Sequence, residues 1–224
     1  MRKLALRLRV SPAAVKLTYA ATLFFNALGS LFPRPGRKRS PVPSRGVPRE
    51  GSPVNGQGLD PYARIPFGRY DIARSGCAVI AAYNALCVLR DPIPFSRAVS
   101  WFERCGSICR GALGVHPLAV RDLLRSRGHD TRVLYAARVK DLSALDDAFR
   151  GADAAVLTFW NGPAVRSPGG AWTRAHTVAL AHSERGAVVY NARNGTPAPL
   201  IYGSIKEYID SEGVQPVSLL LISG

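Results

Sequence analysis

The chain shows three textures of hydrophobic and polar positions. Residues 10–32 are apolar except for Lys16, Asn26 and small polar residues. The charge-free part, residues 17–32, is about as long as a secretory core or an interfacial helix, and shorter than the ~20 residues of a span. Residues 33–61 are rich in proline and glycine and show no apolar period, so they predict an extended, solvated linker. From Tyr62 onward the pattern is that of a folded domain. Residues 78–89 are apolar on almost every side, the mark of a helix buried all round, and Asp91-Pro92 ends it. Amphipathic spacing predicts helices over 95–104 and over 117–127, the second stopped by Gly128, and a short one over 141–149. After Gly151 the runs 154–160, 176–181, 187–190, 200–202 and 217–222 read as strands, with 205–209 helical between the last two and 131–134 as an extra strand. Helices first and strands last predict an α+β fold, with the buried central helix packed against an antiparallel sheet.

Composition narrows the classes. With 224 residues, 47% hydrophobic and 20% charged, the chain holds one ordinary domain and an appendage, and is neither disordered nor fibrous. The net charge of +15 is unevenly placed: residues 1–50 carry eleven Lys or Arg and one acid, so the remainder is only mildly basic. A nucleic-acid partner is not expected, because the basic residues are not interleaved with aromatics on a folded face. No glycine-rich phosphate loop follows a strand, so no nucleotide site is expected.

Arg2, Arg9 and Lys16 recur every seven residues, and Pro12 would start a helix afresh. Residues 1–32 therefore read as a signal peptide with a small-residue site at Ala27-Leu28-Gly29, as an anchor with Lys16 reaching the headgroups, or as an interfacial helix. These readings make the protein membrane-associated or exported, with a membrane surface as partner through residues 1–39, which include the basic knot Arg37-Lys38-Arg39. A cytoplasmic amphipathic tail is the alternative.

Cys77 carries the chemistry. It follows Ser75-Gly76 at the first turn of the buried helix, where unpaired helix N–H groups favour a thiolate. The plainer reading is a packed cysteine, as Cys87 would be deeper in the same helix. A thiolate nucleophile needs an imidazole. His176, opening a strand after residues 167–170, is best placed; His116 reads as a helix cap, and His129 and His182 have no assigned role. Asn191, a hairpin's length after His176, is the candidate to orient the ring. Asn194 before Gly195 is a turn residue. Cys105 and Cys109 read as free thiols or a short disulfide; a zinc site with His116 lacks a second ligand pair. No metal and no cofactor is expected. The basic helix face with Arg121, Arg125 and Arg127 reads as solvated.

Residues 70–86 around Cys77, residues 175–180 around His176, and Val189-Tyr190-Asn191 resemble the papain-like superfamily. More narrowly, they resemble the bacterial double-glycine, bacteriocin-processing peptidase group, whose nucleophilic cysteine opens a central helix. The resemblance covers about residues 62–224. It implies a peptide or protein substrate and acyl transfer through a Cys77 thioester, with His176 as base and acid and Asn191 as orienter. One departure stands out. The family usually carries a glutamine about six residues before the nucleophile, to hold the tetrahedral oxyanion, and Asp71 occupies that place here. A carboxylate cannot donate a hydrogen bond, so either another donor such as a backbone amide or Ser75 serves, or the domain binds peptides without cutting them.

Overall fold

The computed structural model describes residues 11–30, 51–139, 141–161 and 175–224. The basic start, the knot at 37–39 and residues 167–170 lie outside them, as does the stretch 33–50 of the expected linker. In chain order the elements are α1 (Pro12–Ser30), β1 (Pro66–Phe67), β2 (Tyr70–Asp71), α2 (Ile72–Ser75), α3 (Cys77–Val88), α4 (Phe95–Cys105), α5 (Pro117–Ser126), β3 (Asp130–Tyr135), α6 (Ser143–Phe149), β4 (Ala154–Trp160), β5 (Ala175–Ser183), β6 (Gly186–Tyr190), β7 (Leu200–Tyr202), α7 (Ile205–Glu212) and β8 (Gln215–Ser223). The fold is α+β. Six strands form one antiparallel sheet in the order β3-β8-β4-β5-β6-β7.

The apolar strands explain the layering. Residues alternate faces along a strand, so a strand apolar at every position must be covered on both sides. In β4, Ala154 and Val156 join Ala179, Leu220 and Ile222 in the core shared with α3, α4 and α5. Ala155, Leu157 and Phe159 face the other way, into a second core with Leu145 and Phe149 of α6 and Tyr208 and Ile209 of α7. The sequence reading accounts for the α3 layer; the α6–α7 layer is additional. In α3 every residue from Ala78 to Cys87 is buried, as an all-round apolar helix requires. Its one polar interior residue, Asn84, accepts from Val54 N–H at 2.7 Å and donates to the Val54 carbonyl at 2.7 Å.

That clamp corrects the linker. Residues 51–61 do not hang free: Val54 and Gln57 are both buried, and the segment crosses the domain as a strap. Proline and glycine spacing marks a chain that forms no helix or strand, but it cannot exclude backbone satisfied by distant side chains.

Helix α1 lies against α4 and α5. Its inward side chains, Val15, Tyr19, Thr22 and Asn26, recur at helical spacing; Val15 and Tyr19 join the hydrophobic core, and polar contacts add to this. Tyr19 Oη donates to Asp122 at 2.6 Å, Asn26 donates to the Ser107 carbonyl at 3.1 Å, and Thr18 Oγ1 meets His116 Nε2 at 3.2 Å. Among the described residues no helix is long and apolar enough to cross a membrane.

His116 caps α5 as expected, its Nδ1 accepting from Leu118 N–H at 3.2 Å, while Tyr19 stacks on its ring at 4.8 Å. Burial pushes its pKa down to about 4. The folded state then binds this proton more weakly than the unfolded chain, so the contribution is complete above pH 6.5 and is lost as pH falls towards 4. The loss amounts to about 3 kcal/mol. Urea unfolding at pH 7 and pH 4 tests this: His116→Asn, which can still cap but cannot titrate, should lose about 3 kcal/mol less than the parent chain on acidification.

Candidate active site

Two short helices meet at Cys77. Asp71 caps α2, its carboxylate accepting from Arg74 N–H at 2.9 Å. The helix closes on Gly76, whose N–H donates to the Ile72 carbonyl at 2.9 Å. A Cβ at Gly76 would stand 2.6 Å from Ile72 Cδ1, so only glycine lets the chain pass straight into α3. Cys77 is thus the first residue of the buried helix and is partly exposed.

The sheet supplies the rest. Pairing between β5 and β6 ends at Ala179↔Tyr190, so the start of β5 is flanked on one side by β4 and open on the other. The N terminus of α3 comes to this opening, and the Cys77 sulfur lies near enough to the Thr177 backbone and the His176 imidazole for both to act on its ionisation. The imidazole is buried, with the Phe159 ring packed edge-on at 5.6 Å. Its Nε2 lies 2.8 Å from the Asn191 carbonyl. A carbonyl only accepts, so Nε2 carries a proton and Nδ1 is left to face the thiol.

Electrostatics follow from this geometry. Burial pushes the Cys77 thiol up, but the hydrogen bond and charge of His176, with the N–H groups of Thr177 and Ala78, outweigh it and bring the thiol below its ordinary value. Burial lowers His176, and the Cys77 charge and the Asn191 carbonyl more than reverse that, so the imidazole is raised. The two shifts run in opposite directions, both favouring the thiolate–imidazolium form, and the pair titrates as a unit.

Asn191 orients the ring, though through its backbone. Its φ of 57° places it in the left-handed region, which asparagine tolerates, and so turns its carbonyl towards His176. The side chain is engaged elsewhere: Oδ1 accepts from Gln57 N–H at 3.0 Å, and Nδ2 donates to Gln57 Oε1 at 3.2 Å. The Asn191 N–H donates to Asn55 Oδ1 at 2.8 Å. Gln57 in turn gives Nε2 to the carbonyls of Ile72 and Ala73, at 2.7 and 2.9 Å, just ahead of the nucleophile. Asn55 and Gln57 were not anticipated. They sit in the strap, and their only mark in the sequence is a pair of amides two positions apart in a segment without periodicity.

The remaining candidates sort themselves. Asp71 is a helix cap, so its carboxylate is held by α2. Ser75 is buried at the end of α2, two residues before the sulfur. Cys87 is raised by burial and hydrogen-bonded by Tyr83. Cys105 and Cys109 are free thiols, and no group of metal-ligating side chains occurs among the described residues. His129 pairs with Asp91, while His182 stacks on Phe149 and bonds the Ala152 carbonyl. The basic face is partly tied down: Arg121 pairs with Asp122 and Arg127 with Asp91, and Arg125 bonds Thr131. No family model matches this chain, and no curated protein matches it significantly.

Proposed function

We propose that this chain is a papain-like cysteine peptidase of the double-glycine kind, cleaving a peptide bond or passing its acyl group to another acceptor. The observation that carries the reading is the buried His176 imidazole beside the Cys77 sulfur, fixed from behind by the Asn191 carbonyl at 2.8 Å. The Cys77 thiolate attacks the scissile carbonyl carbon, and its oxygen takes up the negative charge. Cys77 N–H, in the first turn of α3, has no acceptor along its own helix and is the donor available to that oxygen. Imidazolium Nδ1–H protonates the leaving amine as the C–N bond breaks, giving a Cys77 thioester. Water, deprotonated by the now neutral His176, attacks the thioester; the acid leaves and the thiolate–imidazolium pair is restored.

A second reading, a cleft that holds peptides without cutting, is favoured by one observation. Both Nε2 hydrogens of Gln57 are spent on Ile72 and Ala73, and Asp71 is spent on its cap, so neither supplies a second oxyanion donor.

Alkylation separates a reactive Cys77 from an inert one. Iodoacetamide at pH 6, mapped by mass spectrometry, should modify Cys77 ahead of the exposed Cys109, with Cys87 last. The rate should follow a thiolate that persists to lower pH than an ordinary thiol, since the Cys77 pKa is lowered. Modification of Cys109 first, with Cys77 silent, would remove the nucleophile from the proposal. A peptide p-nitrophenyl ester then distinguishes the two readings: acyl transfer releases a burst of nitrophenolate and adds the acyl mass to Cys77, whereas a binding cleft does neither.

A further inference from the structure

Helix α1 is apolar on two sides. An amphipathic helix ordinarily buries one apolar stripe and shows a polar one. Here Val15 and Tyr19 already fill the domain side, where Tyr19 and Asn26 also hydrogen-bond the domain. The opposite face, Leu17, Ala20, Ala21 and Phe24, repeats at helical spacing and is exposed. Leu17 is 73% exposed, and Phe24 and Phe25 are 64% and 66%. Together they leave an uninterrupted apolar strip on a helix about 28 Å long. Lys16 sits at its flank, exposed.

We propose that this strip lies on an anionic lipid surface, with the domain held above it through the opposite face of α1. The charge distribution selects that occupant over a second copy of the chain. Basic residues flank α1 at both ends in the sequence: Arg2, Lys3, Arg7 and Arg9 before it, and Arg34, Arg37, Lys38 and Arg39 after it. Two such helices packed strip to strip would bring basic flanks together in either orientation. An acidic headgroup layer attracts both flanks while its acyl boundary takes Leu17 and Phe24. The fit is to a helix lying in the interface, because the opposite face is occupied by the domain and stays out of the lipid.

Flotation of the full chain with vesicles is the test. Vesicles of phosphatidylcholine mixed with phosphatidylglycerol should carry the protein upward, and added salt should weaken this. The triple variant L17S/F24S/F25S changes only exposed positions, and unaltered alkylation of Cys77 and an unaltered circular dichroism spectrum would show its fold intact. It should bind about a hundredfold more weakly. Equal flotation of variant and parent would overturn the role of the strip. Equal flotation on phosphatidylcholine alone would overturn the anionic preference. A parent chain that does not float but sediments as a dimer, with the triple variant monomeric, would overturn the proposal and give the strip to a second copy.

Discussion

Replacing His176 by Ala is expected to lower peptide cleavage or acyl transfer by about 10²–10⁴-fold and to shift Cys77 alkylation to higher pH. Without the imidazole, nothing but the N–H groups of Thr177 and Ala78 opposes burial of the thiolate, and burial is the largest single influence on this sulfur. A thiol returned to about 8.5 or above is less than about 1% ionised at pH 6. A more basic thiolate is intrinsically more nucleophilic, which offsets part of the loss, so alkylation at pH 6 should still fall about tenfold or more. Turnover loses further, because the acid that protonates the leaving amine is gone as well. In the parent chain, the proposed cleavage should rise with pH as Cys77 ionises, below the ordinary thiol range. It should fall again above the ordinary imidazole range, where the raised His176 finally gives up its proton. Stopped-flow alkylation and rate profiles across pH check both limbs. An unchanged alkylation profile in His176→Ala would mean that the pair does not form.

Gln57→Leu is expected to cost both stability and reactivity. The side chain is buried and joins three places: the carbonyls of Ile72 and Ala73 ahead of the nucleophile, and the amide of Asn191 behind the histidine. Leucine fills a similar volume but leaves those groups without partners. Each stranded group costs about 1–3 kcal/mol, so a total near 3 kcal/mol is expected. For a chain of this size that lowers Tm by about 6–12 °C. A purely structural role would end there. Gln57 also holds Asn191 in its left-handed turn, and that turn aims the carbonyl at His176 Nε2. The folded variant should therefore show the Cys77 alkylation profile moved to higher pH, measured below its own unfolding temperature. Loss of Tm with an unmoved profile would limit Gln57 to holding the strap.

The two residues also mark how far the sequence carries. Cys77 was legible because its signal is local: a Ser-Gly turn running into a helix apolar on every side. His176 and Asn191 were legible as strand-start and strand-end residues a hairpin apart. The manner in which Asn191 acts was not, because whether a backbone carbonyl or a side chain reaches an imidazole depends on one φ angle and on which partners claim the amide. The sequence placed Asp71 where the family has its glutamine and denied it a donor role; only the structure shows what its carboxylate does instead, which is to cap α2. The strap was hidden because Asn84 and Asn191, which satisfy it, lie 30 and more than 130 positions away along the chain.

By itself, the amino-acid order determined the main helices and strands of the domain, since helical and strand periods are properties of neighbouring residues, and it determined that α3 would be buried on every side. It also placed the charge in the first fifty residues. Only the folded chain decided which helices cover the two faces of the sheet, how β6 stops short to open β5 to the sulfur, and which side of α1 turns inward. These are outcomes of competition between distant surfaces for the same apolar area and the same hydrogen-bond partners. Near-neighbour patterns state what each segment needs, but the partner that meets the need is chosen only when all segments are packed together.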